Sequence, residues 1–142
     1  MTVQLRSLGL REGYGFSANP ISFKVSSATL DIDGDGRAEA LTDGLLIIRR
    51  LFGYESTSLI AGAISGDATI TSADAIAARV DGFKAALDVD ANGKTEALTD
   101  GLLIIRRLFG FEGASLVSGA ISPDGERQDA AEIAEYIDGL RP

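Results

Sequence analysis

An acidic run followed at once by an apolar one occurs twice in this chain, 57 residues apart. The first copy is Asp31-Ile-Asp-Gly-Asp-Gly-Arg-Ala-Glu-Ala-Leu-Thr-Asp43, leading into Gly44-Leu-Leu-Ile-Ile48. The second is Asp88-Val-Asp-Ala-Asn-Gly-Lys-Thr-Glu-Ala-Leu-Thr-Asp100. From Glu39 to Gly53 and from Glu96 to Gly110 the copies are identical. A fixed period sets the plan of a fold before any single element does. Residues 30–86 and 87–142 are two copies of one unit, after a leader of residues 1–29.

The spacing inside each run is that of a cation site. Alternate positions turn Asp31, Asp33 and Asp35 toward one point, Gly36 supplies a sharp turn, and Asp43 adds a fourth carboxylate at a helix start. Asp88, Asp90, Asn92, Gly93 and Asp100 repeat the arrangement. Gathering such charges without a counter-ion costs several kcal/mol of repulsion. A hard divalent cation with oxygen ligands removes that cost. Calcium suits the set better than magnesium, because the donors are many and all oxygen. Asn92 replaces a carboxylate, so the second loop is expected to bind more weakly.

Composition narrows the rest. A unit of about 57 residues buries little core and is marginal alone. The chain has no cysteine for a disulfide and no histidine for a zinc site, a catalytic triad or a general base. The ion is the available staple, with folding linked to it. No nucleophile sits with a base, so the chain is not expected to be an enzyme. A net charge of −8 without basic clusters argues against nucleic acid and anionic lipid. The apolar run Leu45 to Ile48 is far too short for a membrane span, and no signal peptide follows Met1. That last feature suits a piece excised from a longer chain.

The helical periodicity predicts a mainly α fold of two helices per unit. In the first unit these are about Thr42 to Phe52, with Thr42 as N-cap and Gly53 as stop, and Ser72 to Phe83, with Ser72 as cap and Ile76 and Val80 inward. At 100° per residue, Leu45, Ile48 and Phe52 form one face of the first helix, Ile47 and Leu51 extend it, and Leu46 lies on the far flank. So wide a surface needs two neighbours: the second helix, and either the other unit or an outside partner. Arg49-Arg50 reads as a solvated or acid-paired edge. Between the helices, Ile60, Ala63 and Ile64 anchor a connection. In the second unit the helices are Thr99 to Phe109 and Ala130 to Gly139, with Ile133 and Ile137 inward.

The segment 66–74 looks like a degenerate counterpart of the acidic loop, expected to be a structural turn paired with it. In its counterpart, 123–131, Arg127 stands where Ile70 stood, which weakens the case for an ion there. In the leader, Val3 and Leu5, then Ile21, Phe23 and Val25, alternate with polar residues and predict short strands. The leader either docks on the first unit or is the tail of a preceding domain.

The unit resembles a dockerin, the EF-hand-like calcium module of secreted bacterial proteins. It also resembles a variant repeat, carried in tandem at the ends of large secreted proteins, that contains Ala-Leu-Thr-Asp-Gly-Leu-Leu. Here that run is Ala40 to Leu46 and Ala97 to Leu103. The resemblance covers residues 30–142. It implies an extracellular or cell-surface location and two calcium ions, one per repeat. Asp31, Asp33, Asp35 and Asp43 would bind through their side chains and Arg37 through its carbonyl. In the second repeat the ligands would be Asp88, Asp90, Asn92, the carbonyl of Lys94, and Asp100. The family's closing acid is twelfth in the loop; here it is thirteenth, so one extra residue must be absorbed near Glu39-Ala40. Glu39 and Glu96 are then available directly or through water. The expected function is a calcium-stabilised interaction or spacer module that meets a protein partner or neighbouring domain. The alternative is a true dockerin-type adaptor for a cohesin-like receptor, with Arg49 near a basic docking position.

Overall fold

The computed structural model describes residues 28–142. The strands expected near Val3 and Ile21 lie outside those residues. Among the described residues the protein is mainly helical, with six α-helices and no strand.

The start of the first helix explains how the loop absorbs its extra residue. The chain makes one wide turn, Ala40–Gly44, before α1, Leu45–Leu51. The Gly44 N–H donates to the Glu39 carbonyl, five residues back, at 3.0 Å. Such a π turn holds one residue more than an α-helical step, and these turns gather at functional sites. The N-cap is therefore extended Glu39, not Thr42. Thr42 falls inside the turn and donates its hydroxyl to Asp43 at 3.2 Å. Ala97–Gly101 and α4, Leu102–Leu108, repeat the arrangement.

The inward face of α1 also differs from the projected one. Leu46 and Ile47 are fully buried, Leu45 and Ile48 only partly so, and Phe52 is 54% exposed. The projection found the apolar residues but misjudged the centre, because part of the apolar surface serves the other repeat. A Cβ added to Gly101 would stand 3.1 Å from the Ile48 side chain, and one on Gly44 3.0 Å from Ile105. Glycine leaves room at both places for the facing isoleucine, because the two helix starts pass so closely. α1 thus packs on Ala97–Gly101 while α4 packs on Ala40–Gly44. Leu30 N–H to the Leu140 carbonyl, at 2.8 Å, ties the first described stretch to the last helix's end. Buried side chains from both repeats form one cluster, from Leu30 and Ile32 through Ile133 and Ile137.

The connection after α1 holds a short helix, α2, Ser56–Ile60, whose Leu59 is fully buried. Sequence reasoning missed both; of its anchors, Ala63 is buried and Ile60 and Ile64 partly so. α5, Gly113–Val117, is its counterpart, with Leu116 buried. Arg49 braces this connection, donating to the carbonyls of Leu59 and Ala61 at 3.1 and 2.8 Å, and Arg106 does the same to Leu116 and Ser118. Arg50 pairs two-pronged with Asp81, and Arg107 with Asp138. The acid-paired edge expected for this dipeptide is thus present at Arg50, while Arg49 is turned to backbone carbonyls.

α3, Ala73–Gly82, starts where expected: the Ser72 hydroxyl accepts the Ala75 N–H at 3.1 Å. Ile76 and Val80 are buried. α6, Ala130–Asp138, is capped by Asp129, which accepts from Ala131 and Glu132, and buries Ile133 and Ile137.

Two substitutions test this packing. Leu46→Ala should cost about 2–5 kcal/mol and Phe52→Ala within about 1 kcal/mol, measured by denaturant unfolding. The reverse order would restore the projected face. Ser56 has φ +53 where its counterpart, Gly113, has φ +57. A side chain strains that left-handed conformation and glycine does not. Ser56→Gly should therefore raise stability by about 0.5–1 kcal/mol, read as a higher melting temperature.

Candidate metal centre

The loop closes around its own carboxylates. Asp31 spans the turn, its two oxygens accepting the N–H groups of Asp35 (3.1 Å) and Gly36 (2.9 Å). Gly36 has φ +88, the conformation its place in the sequence called for. Asp43 is fully buried. One of its oxygens accepts from Ile32 at 2.7 Å and Asp33 at 3.3 Å; the other accepts the Glu39 N–H at 2.9 Å. It therefore ties the loop's first strand-like stretch to the helix start. Asp33 accepts the Ser65 N–H at 2.9 Å on one oxygen, and Asp35 accepts the Arg37 N–H at 2.9 Å.

Those bonds leave a defined remainder. One oxygen from each of Asp31, Asp33, Asp35 and Asp43 falls in a group whose members all lie within 4.8 Å of one another. Two buried oxygens of these residues, Asp33 Oδ1 and Asp35 Oδ2, have no hydrogen-bond donor. The Arg37 guanidinium approaches Asp35 Oδ2 to 3.3 Å, but from outside hydrogen-bond geometry. At 4.8 Å, each ionised pair repels by roughly 3–4 kcal/mol at an effective dielectric of about 20. The set offers only oxygen. Such a donor set fits a hard divalent cation.

The second centre repeats this with one difference. Asp88 accepts from Asn92 and Gly93, Asp90 from Ser122, and Asp100 from Val89, Asp90 and Glu96. Oxygens of Asp88, Asp90 and Asp100 lie within 4.8 Å of one another, and the buried Asp90 Oδ1 has no donor. Asn92 holds the place of Asp35: its Oδ1 accepts the Lys94 N–H at 2.9 Å, and its Nδ2 donates to Asp124. Neither the Arg37 nor the Lys94 carbonyl accepts a hydrogen bond among the described residues. Glu39 and Glu96 are exposed, Glu39 beside Arg37 at 3.6 Å, and neither joins the acidic groups.

The degenerate loops serve as backing. Thr69 and Ile70 donate their N–H groups to the Asp33 carbonyl at 3.0 and 2.9 Å, and Arg127 donates its own to the Asp90 carbonyl at 3.0 Å. Among the described residues no acidic group gathers in 66–74 or 123–131.

Scanned against protein-family models, curated proteins and solved structures, the chain matches none of them.

Burial and crowding decide the titration of the metal-free loops. Burial, opposed by the Glu39 and Ile32 N–H groups and aided by the charge of Asp33, lifts Asp43 to about 6. Burial likewise raises Asp33, Asp90 and Asp100. Burial also pushes Asp35 upward, but the Arg37 N–H and guanidinium, with Ser65, bring it below the usual range. For the raised group Asp43, the folded chain holds a proton that the unfolded chain has lost. Its contribution to stability is full below about pH 4 and gone above about pH 6. Asp35, Asp81 and Asp138, all lowered, have the opposite sign: they stabilise above about pH 4 and fade below it. For chain stripped of metal beforehand and kept in metal-free buffer, the melting temperature should therefore fall as pH rises from about 4.5 to 6.5. A rising or flat profile in that window would show that Asp43 does not titrate as its burial requires.

Proposed function

We propose that residues 30–142 form a calcium-binding module of a secreted or cell-surface bacterial protein, dockerin-like in plan, with one Ca2+ per repeat. Two buried carboxylate oxygens with neither a donor nor an ion-pair partner carry this reading, Asp33 Oδ1 and Asp90 Oδ1. A buried ionised oxygen left unpaired is costly, and a cation between the carboxylates removes that cost. The carbonyls of Arg37 and Lys94 complete the two shells.

The module acts as an interaction or spacer element and has no catalytic role. No described helix is long and apolar enough to cross a membrane. Two open clefts at the seam between repeats support a protein partner. One, about 430 Å³, is lined by Leu51, Phe52 and residues 95–99; the other, also about 430 Å³, by residues 38–42, Leu108 and Phe109. Leu41, Phe52, Leu98 and Phe109 are all more than half exposed there. The adaptor reading, docking on a cohesin-like receptor, has less behind it, because Arg49 is turned to backbone carbonyls.

Calorimetric titration with calcium should give two ions per chain, the weaker at the second loop. Calcium at about 100 times its dissociation constant should stabilise the chain by about 2.7 kcal/mol per site, seen as a melting temperature well above that in EGTA. No binding heat together with equal melts in calcium and EGTA would overturn the proposal.

A further inference from the structure

Each acidic loop is held by an arginine on the carbonyl of its second residue, delivered from different elements, with a further bond to the Asp31 carbonyl in the first repeat alone. In the first repeat, Arg79 on α3 donates its Nε–H to the Ile32 carbonyl at 3.0 Å and a terminal N–H to the Asp31 carbonyl at 2.8 Å. In the second repeat the position matching Arg79 is Tyr136. There the guanidinium comes instead from Arg127 in the backing loop, whose Nε–H donates to the Val89 carbonyl at 2.9 Å. Val89 is the counterpart of Ile32, and Arg127 that of Ile70. The supporting rings follow the exchange. Arg79 lies 5.3 Å from the centre of the Phe83 ring, and Arg127 3.9 Å from that of Tyr136. Tyr136 is fixed in turn by its hydroxyl, which donates to the Ala86 carbonyl at 2.7 Å.

The contact grips the residue between two expected ligands. Ile32 stands between Asp31 and Asp33, its side chain in the core and its N–H on Asp43. The guanidinium takes the carbonyl of that residue. Both peptide groups of Ile32 are then pinned, one by each partner, and the directions of the Asp31 and Asp33 side chains are set. Val89 is held likewise by Asp100 and Arg127.

We infer that Arg79 and Arg127 are positioning residues for the two calcium loops, equivalent in task although they occupy different places in the repeat. This rests on the calcium reading above. By charge alone, a guanidinium beside an acidic loop opposes a second cation, so removing it should tighten binding. By position, removing it should weaken binding at its own loop, because groups that orient metal ligands matter nearly as much as the ligands. The two accounts predict opposite signs.

The test uses Arg79→Tyr and the double variant I70R/R79Y, which transplants the second repeat's arrangement into the first. In two-site calorimetry with calcium, R79Y should weaken the first loop about tenfold or more and leave the second as an internal reference, and I70R/R79Y should recover to within about threefold of the parent chain. A first loop that binds R79Y equally or more tightly, or a double variant no better than R79Y, overturns the inference. A calcium-free measurement runs beside it: amide exchange at Asp33, whose N–H shares the peptide group of the Ile32 carbonyl, followed in EGTA. Exchange should quicken about tenfold in R79Y and slow again in the double variant; unchanged exchange also overturns the inference. If the parent chain binds no calcium, the calcium reading fails, and the exchange experiment still judges the contact. Should R79Y not fold, Arg79→Lys, which keeps the charge and loses the fork, takes its place with the same expectations.

Discussion

A carboxylate buried at the start of a helix and bonded back to the loop before it is the contact on which this structure turns. Asp43 takes the N–H groups of Ile32 and Asp33 on one oxygen and that of Glu39 on the other. In an ordinary capping box a side chain three residues into the helix reaches back to the cap. Here the reach is one residue longer, and the π turn at Ala40–Gly44 supplies the difference. The same carboxylate therefore closes the loop, starts the helix and faces the other acids. Burial makes it hard to ionise without a counter-charge, and under the calcium proposal it is one of the four side-chain ligands of the first loop. Asp100 repeats all three tasks.

One residue beyond each of these carboxylates lies the seam between the repeats. Gly44 meets Ile105, and Gly101 meets Ile48. The contact is reciprocal, the pattern of an isologous interface drawn inside one chain. It explains how units of under 60 residues reach an adequate core: neither closes its own, and buried side chains of both join in one cluster. The loop chemistry and the inter-repeat packing are thus set by adjacent residues of one turn.

The repeat, the acidic groups and the N-cap of α3 were legible in the sequence because each depends on short spacing. The start and inward face of α1 were not. A thirteenth-position acid says that a residue must be absorbed, but only the backbone hydrogen bond from Gly44 to Glu39 says how. Wide apolarity says that α1 has two neighbours, but not which flank each takes. α2 escaped notice because Ser56 begins it with a positive φ that serine rarely adopts. The partnership of Arg127 and Tyr136 was hidden for a different reason. Compared position by position, Ile70 to Arg127 looks like a loss and Arg79 to Tyr136 an unrelated change. Their side chains meet in space, so the two changes are one.

The pattern of identity between the repeats follows from these contacts. Glu39–Gly53 and Glu96–Gly110, which match at every residue, supply the glycine–isoleucine contacts of the seam and both turns that carry the buried acids Asp43 and Asp100. A change in one copy there breaks one of two reciprocal contacts and is not repaired by a change nearby in its own repeat. α3 and α6 pack on the helices of their own repeats. A change on these elements needs only a local answer, and the exchange of arginine between helix and backing loop is such an answer. Gly34 and Ala91 show the same freedom. A Cβ on Gly34 would collide with Thr69 at 2.2 Å, while Ala91 keeps the left-handed φ of +58 at the matching position. Its backing loop carries Glu126 where Thr69 stands in the first repeat. Where the contact lies within one repeat, pairs of residues can vary together and the loop keeps its shape; the glycine–isoleucine contacts of the seam are the same residues in both repeats.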